Sequence, residues 1–425
     1  LKIIIHFTMK FQLPLVLLLG ASIAASAQDR KDGATYAEAP KNPFFENIKK
    51  ENDSFFKDRP AAAKRLTLDY SKINYPKSTS EFKIVSTDVP VSQGLTGTCW
   101  CFSTTSFYES EAARTGHKDV QLSEIYTVYW EYVEKAREFV RTRGKSIFDE
   151  GSETNAVQRS LAAHGAVPLE SYSGVQPGQP YHDHTKMIGE MRDYLAGVKA
   201  RSAWNTDEVI ATIRSIMDHY LGAPPTMVDY KGKKITPQQY LKDAVGVVPT
   251  DYVTFMSLKS EPYWTMAEYK VGDNWWHSKD YYNVPLNDFT ALIKAALKKG
   301  YSISIGGDVS ESGIDSKLGL MMVPSYDIPS SFIDDNARLL RFLNGATTDD
   351  HAMHIVGIDE RPDGTWFLVK DSGAGGHANS GHSGFWFMHE DYVKLKMMTA
   401  TVNKEAVKDL LQQFAAKSGT PQSRG

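Results

Sequence analysis

Cysteine is nearly missing from this chain. Two occur in 425 residues, Cys99 and Cys101. They stand two apart, where a bridge between them requires strained geometry. A structural disulfide is therefore not expected. A strong charge of one sign is also missing. With 48 Lys and Arg against 51 Asp and Glu, the net charge is −3. With no long basic run, nothing marks the chain for nucleic acid or an anionic membrane surface. Internal repeats and low-complexity blocks are absent, so a solenoid or a disordered array is excluded. A hydrophobic content of 41 % with 23 % charged residues is ordinary for a globular protein that buries a sizeable core.

One apolar run near the N-terminus has its own meaning. Lys10 follows Met9, and an apolar run extends from Leu13 to Gly20. It is shorter than the ~20 residues that a spanning helix needs. Ala25-Ser26-Ala27 then fits a signal-peptidase site, with cleavage before Gln28. Residues 1–27 are read as a signal peptide with a short upstream extension. The expectation is an exported protein, periplasmic or secreted, with no membrane anchor after cleavage. An exported chain without a disulfide leaves its thiols for another purpose.

The rest of the chain divides by its patterning. Residues 28–82 form a polar N-terminal arm. Residues 83–184 read as a helical subdomain, opening with "GTCWCFSTTSFYESEAART" and followed by a periodic run from Leu122 to Gly144 that Ser123 caps. A third helix ends at Gly165. Residues 185–283 are expected to be a mainly helical insert, with Thr236-Pro237 starting one of its helices. Residues 284–402 begin with an amphipathic helix, Leu286 to Gly300. They then change period: "YSISIGGDV", "HAMHIVGIDE", "TWFLVKDS" and "SGFWFMHEDYV" read as strands of an antiparallel β subdomain. Residues 403–425 form a C-terminal arm. The fold class is α+β, with helices first and strands last.

The chemistry gathers around Cys99. A thiolate is favoured at a helix N-terminus and beside an imidazolium. Cys99 follows a Gly97-Thr98 turn and opens a helix. Cys101 lies inside that helix, where a small apolar side chain packs. Gln93, six residues before Cys99, is placed to donate to an oxyanion together with the Cys99 backbone N–H. The base must come from elsewhere in the chain. His351 and His354 lie three apart on one strand and so face opposite ways; only one can face the thiol. Asp371 ends the next strand and is placed to orient His351. His377, His382 and His389 make a histidine-rich region, but their spacing matches no zinc pattern.

"QGLTGTCWCF" resembles the papain-like pattern of Gln, a Gly-rich turn, then Cys-Trp-x-Phe. The distance from cysteine to histidine is much longer than the ~130–150 residues of a simple papain-type chain. The arrangement resembles the bleomycin hydrolase and aminopeptidase C family, which carries a large helical insert there. "EGSETNAVQRSLAAHGAVP", "YLGAPP", "KKITPQQYLKDAVG", "DVSESGIDSKLGLM" and "DHAMHIVGID" extend the likeness. The resemblance implies a papain-like fold, peptide substrates, no cofactor and no metal. It implies catalytic roles for Cys99, His351, Asp371 and Gln93. It also implies substrate contacts at Gly151, Ser152, Asp350 and the terminal carboxylate of Gly425, and a homo-hexamer. Three features depart from the family pattern. Asp371-Ser372-Gly373-Ala374 stands where the family has Asn-Ser-Trp-Gly, so the orienting asparagine is an aspartate and the covering tryptophan is gone. The Gly-Gly of the subsite loop is Gly151-Ser152. The tail ends in "KSGTPQSRG", with Arg424 beside the last carboxylate. An aminopeptidase is expected; a papain-fold endopeptidase and an inactive papain-fold binding protein are the alternatives.

Overall fold

The computed structural model describes residues 34–38, 42–52, 64–85, 87–379 and 381–418. All of these lie in one compact unit that spans Asp32–Gly425. The signal-peptide reading of residues 1–27 and the terminal Gly425 lie outside the described residues.

The helix Cys99–Arg114 is buried along most of its length. A helix buried on every side has no single apolar stripe, and its polar side chains need partners across the interface. They have them. Thr104 Oγ1 meets Ser304 Oγ at 2.9 Å, and Ser106 Oγ meets His354 Nδ1 at 3.0 Å. The helix thereby docks on the strands Ile303–Gly307 and His351–Arg361. Two more helices flank it, Glu124–Arg141 and Thr154–His164. Ser123 caps the first by accepting from the Tyr126 N–H at 3.0 Å. Gly165 ends the second at φ 75°, a conformation that glycine adopts at little cost. The cluster between these helices includes Trp100, Phe107, Tyr129 and Tyr132.

The insert corrects one expectation. Thr185–Arg201 and Thr206–Leu221 are helices, as read. Residues 252–283 are not. Tyr252–Met256, Thr265–Ala267 and Tyr281–Asn283 are strands of the main sheet. Their short apolar runs carry no period that separates strand from buried helix. Met397–Asn403, buried at every position, is a further strand that no pattern announced. A strand covered on both faces shows no alternation.

Among the described residues the main sheet has eleven strands. His351–Arg361 lies between Gly364–Lys370 and Ile303–Gly307, and Met397–Asn403 continues the sheet beyond them. Most pairs are antiparallel. Leu320–Met321 with Phe385–His389, and Tyr252–Met256 with Tyr281–Asn283, run parallel. The far face of the sheet packs on the helix Leu286–Lys298 through Phe289, Leu292 and Ile293. The start of the cysteine helix thus meets the start of the His351 strand where the helical half abuts the sheet.

Cys101 is fully buried, and its sulfur lies 3.2 Å from the Glu124 carbonyl oxygen. Burial pushes its thiol well above the usual range. Cys101→Ala is expected to cost roughly 1–2 kcal/mol of stability by removing packed volume. Thermal unfolding will show a lowered Tm, with the reactivity of Cys99 unchanged.

Candidate active site

His351 and Asp371 come together as the strand pairing requires. His354 faces Lys370 across the antiparallel pair, so the register continues with Asp371 beside Met353, which leaves His351 as its diagonal neighbour on the same face. His351 Nε2 lies 2.7 Å from Asp371 Oδ1. A carboxylate only accepts, so Nε2 carries the proton and donates it. Nδ1 is then left for Cys99, which lines one small pocket with His351. Burial opposes a charge on the His351 ring. The Asp371 carboxylate and the Cys99 sulfur outweigh it and hold the imidazole well above its usual value. His354 is turned the other way, fully buried, against Ser106.

Asp371 is buried and receives three donors. Besides His351, the Gly373 N–H donates to Oδ1 at 2.9 Å, and Trp386 Nε1 donates to Oδ2 at 2.8 Å. Burial alone would raise this carboxyl; the His351 charge and the three donors hold it below its usual value. The indole missing from position 373 is therefore supplied by the neighbouring strand Phe385–His389. Gly373 leaves room for the ring of His351: a Cβ there would stand 3.2 Å from its Cε1. No sequence motif marked Trp386, because it belongs to a different strand.

Gln93 is buried and links the two sides of the site. Its N–H donates to the Ser372 carbonyl at 3.0 Å. Its Oε1 accepts from Ser372 Oγ at 2.7 Å, and its Nε2 donates to the Thr96 carbonyl at 2.7 Å. The loop that leads into Cys99 is thereby tied to the residue after Asp371.

The loop carrying Gly151 and Ser152 is fixed from beneath. Glu150 accepts from the Gly97 N–H at 2.7 Å, and its carbonyl accepts from Trp100 Nε1 at 3.0 Å. Buried Lys135 donates to the carbonyls of Asp149 and Gly151. Ser152 Oγ turns inward and donates to Glu131 at 2.6 Å, so this residue offers the cleft its backbone and not its hydroxyl. Glu131 also binds Arg159 and Trp275. Gly151 is required by a close approach: a Cβ would fall 2.3 Å from Asp273 Oδ2. Asp350 is exposed, and its carboxylate is spent on the Val309 N–H and Thr348 Oγ1, both at 3.0 Å.

Four carboxylates line the same pocket as Cys99 and His351: Asp273 and Asp350, already described, and Glu153 and Asp349. Burial and mutual repulsion push Glu153 well up. Burial, with Asp273 and Asp350 nearby, pushes Asp349 up to about 7. Their only trace in the sequence is position, Glu153 just after Gly151-Ser152 and Asp349 two before His351. The histidine-rich region is packing. His377 stacks on Phe44 at 4.7 Å, and His382 on Phe387 at 4.1 Å. Among the described residues no three His, Cys, Asp or Glu side chains are grouped as metal ligands.

The chain matches the model of the Peptidase C1-like family over residues 42–165 and 190–422. It is 24 % identical to Aminopeptidase G of Lactobacillus delbrueckii subsp. lactis, over 76 % of this chain and 83 % of that protein. It is 22 % identical to Aminopeptidase C of Streptococcus thermophilus, over 78 % and 83 %. The crystal structure of PepW from Lactobacillus rhamnosis superposes with a TM-score of 0.64 at 20 % identity, covering 80 % of this chain and 86 % of that one. That likeness shows the papain-like α+β fold. With the family model matching most of the chain, the protein belongs to the Peptidase C1-like family, among the papain-fold cysteine peptidases of bleomycin hydrolase and aminopeptidase C type.

Proposed function

We propose that the protein is an exported cysteine aminopeptidase in which Cys99 is the nucleophile and His351 its acid and base. The observation that carries this reading is the single line of contacts from Asp371 through His351 to Cys99. The Cys99 thiolate attacks the scissile carbonyl carbon. The tetrahedral oxyanion takes hydrogen bonds from the Cys99 backbone N–H, an unpaired donor at a helix start, and from the Gln93 amide. An amide nitrogen carries two N–H groups, so the bond to Thr96 leaves a second for this purpose. The tetrahedral centre collapses as the C–N bond breaks, and His351 Nδ1–H protonates the leaving amine. Neutral Nδ1 then takes a proton from water, which attacks the thioester. Collapse releases the carboxylic acid product and restores the thiolate and the imidazolium.

Asp371 keeps the ring aligned and favours its charged form. The chain segments at Gly151 and Ser152 present backbone to an extended peptide, and Asp350 stands on the rim. Export is supported by the segment Met9–Ala27, which has the pattern of a cleaved signal peptide.

Cys99→Ala should abolish peptide hydrolysis while the protein stays folded, measured with a chromogenic aminoacyl anilide. Asp371→Asn should remain active with a changed pH profile. His351 is held above its usual value partly by the Asp371 charge, and the active pair is lost as pH rises through the His351 value. Removing the charge lowers that value, so the alkaline limb moves to lower pH. An unmoved limb would contradict the role given to Asp371. Trp386→Phe removes one charge-assisted donor worth about 1.5–3 kcal/mol to the carboxylate. It should lower kcat/KM by roughly tenfold or more without unfolding the chain; full activity would show that Trp386 does not support Asp371.

A further inference from the structure

The acidic wall beside the thiol is unlike anything the cleavage chemistry needs. Glu153 stands at the N-terminus of the helix Thr154–His164, yet its side chain makes no capping bond to that helix. It is 3 % exposed, and its Oε1 has no hydrogen-bond partner among the described residues. Burying an unpaired carboxylate oxygen is costly. Two buried hydroxyls stand near the same place, one just after the strand Thr265–Ala267 and one on the strand Met397–Asn403. Tyr269 OH is fully buried, with Asp349 and Glu153 the strongest charges acting on it, and its contact with Asp349 favours that carboxylate. Thr399 Oγ1 is unpartnered and faces the α-carbon of Gly306, which lines the pocket. Asp349 Oδ1 looks at the same glycine. The charges acting most strongly on Glu153 and Asp349 are all acidic. Asp273 is partly offset by Lys135. These carboxylates are not grouped as metal ligands. What the site lacks is a compact cation with several donors, and an ammonium group has that chemistry.

We propose that Glu153 and Asp349 form the subsite that receives an ammonium group of the substrate beside the scissile bond. The inference rests on the peptidase reading above and names its specificity. In a substrate with a free N-terminus, the α-ammonium of the residue being released lies only about 2.5 Å from the scissile carbonyl carbon. Carboxylates that share one small pocket with Cys99 are within reach of it. A lysine side chain one residue further on offers the same group by a longer path. Either way the side chains, and not the terminal carboxylate of Gly425, hold the cation.

The test measures binding apart from turnover. In the full-length Cys99→Ala protein, calorimetry gives Kd for trialanine amide, for its N-acetylated copy, and for acetyl-lysyl-alanyl-alanine amide. The measurement is repeated with Glu153→Gln and, separately, Asp349→Asn added, and again after truncation of residues 419–425. The proposal expects a peptide with an ammonium to bind at least tenfold more tightly than the acetylated trialanine. Either added substitution removes that preference, and truncation leaves it. A loss confined to trialanine amide identifies the α-amine; a loss confined to the lysyl peptide identifies the side chain. Equal affinity for all three peptides in the parent protein overturns the subsite, as does a preference that survives both substitutions or vanishes only on truncation. Failure of the unsubstituted protein to hydrolyse peptides would instead sink the peptidase reading and leave the binding result standing.

Discussion

The hydrogen bond between His351 and Asp371 is the contact around which the site is arranged. It is a register contact before it is a chemical one. The strands His351–Arg361 and Gly364–Lys370 pair antiparallel, and a one-residue slip would turn His351 to the opposite face. The third strand of that meander, Phe385–His389, then delivers Trp386 to the far oxygen of the same carboxylate. Ser372, the next residue, binds Gln93 twice and draws in the loop before Cys99. Helix, loop and sheet are thus tied together within a few residues of one buried acid.

Charge in this region is unevenly matched, and the unevenness is informative. Under the loop that carries Gly151, Glu131 is met by Arg159, Ser152 and Trp275, and Lys135 is met by backbone carbonyls. Burying such groups costs several kcal/mol each unless their partners are well placed, so they act to hold the loop in one position. At the pocket itself the matching stops. Glu153 and Asp349 face the site with no cation among their strongest neighbours.

Much of this was legible in the sequence, for physical reasons that differ by residue. Cys99 was legible because a Gly-Thr turn before an apolar helix is a local signal. The separation of His351 from His354 followed from the two-residue period of a strand, and the pairing of His351 with Asp371 from the placing of Asp371 at the end of the next strand. The strands at Tyr252–Met256 and Met397–Asn403 were not legible. They are buried on both faces or too short, so alternation never appears. Trp386 and Asp349 were hidden for another reason. Their importance comes from contacts made across strands or across the cleft, which no spacing encodes. The absence of tryptophan at position 373 read as a departure from the family pattern; in the structure Trp386 of the adjacent strand donates to Asp371.

The central claim is that His351 is held as an imidazolium between a buried carboxylate and the Cys99 sulfur. Its most direct test is a pH titration of the His351 ring nitrogens by NMR in the intact, uninhibited protein. The account predicts both nitrogens protonated at a pH one unit above the ordinary imidazole value of ~6.5, with Nε2–H bonded to Asp371. A ring that is neutral at that pH, titrating near the ordinary value, would contradict it.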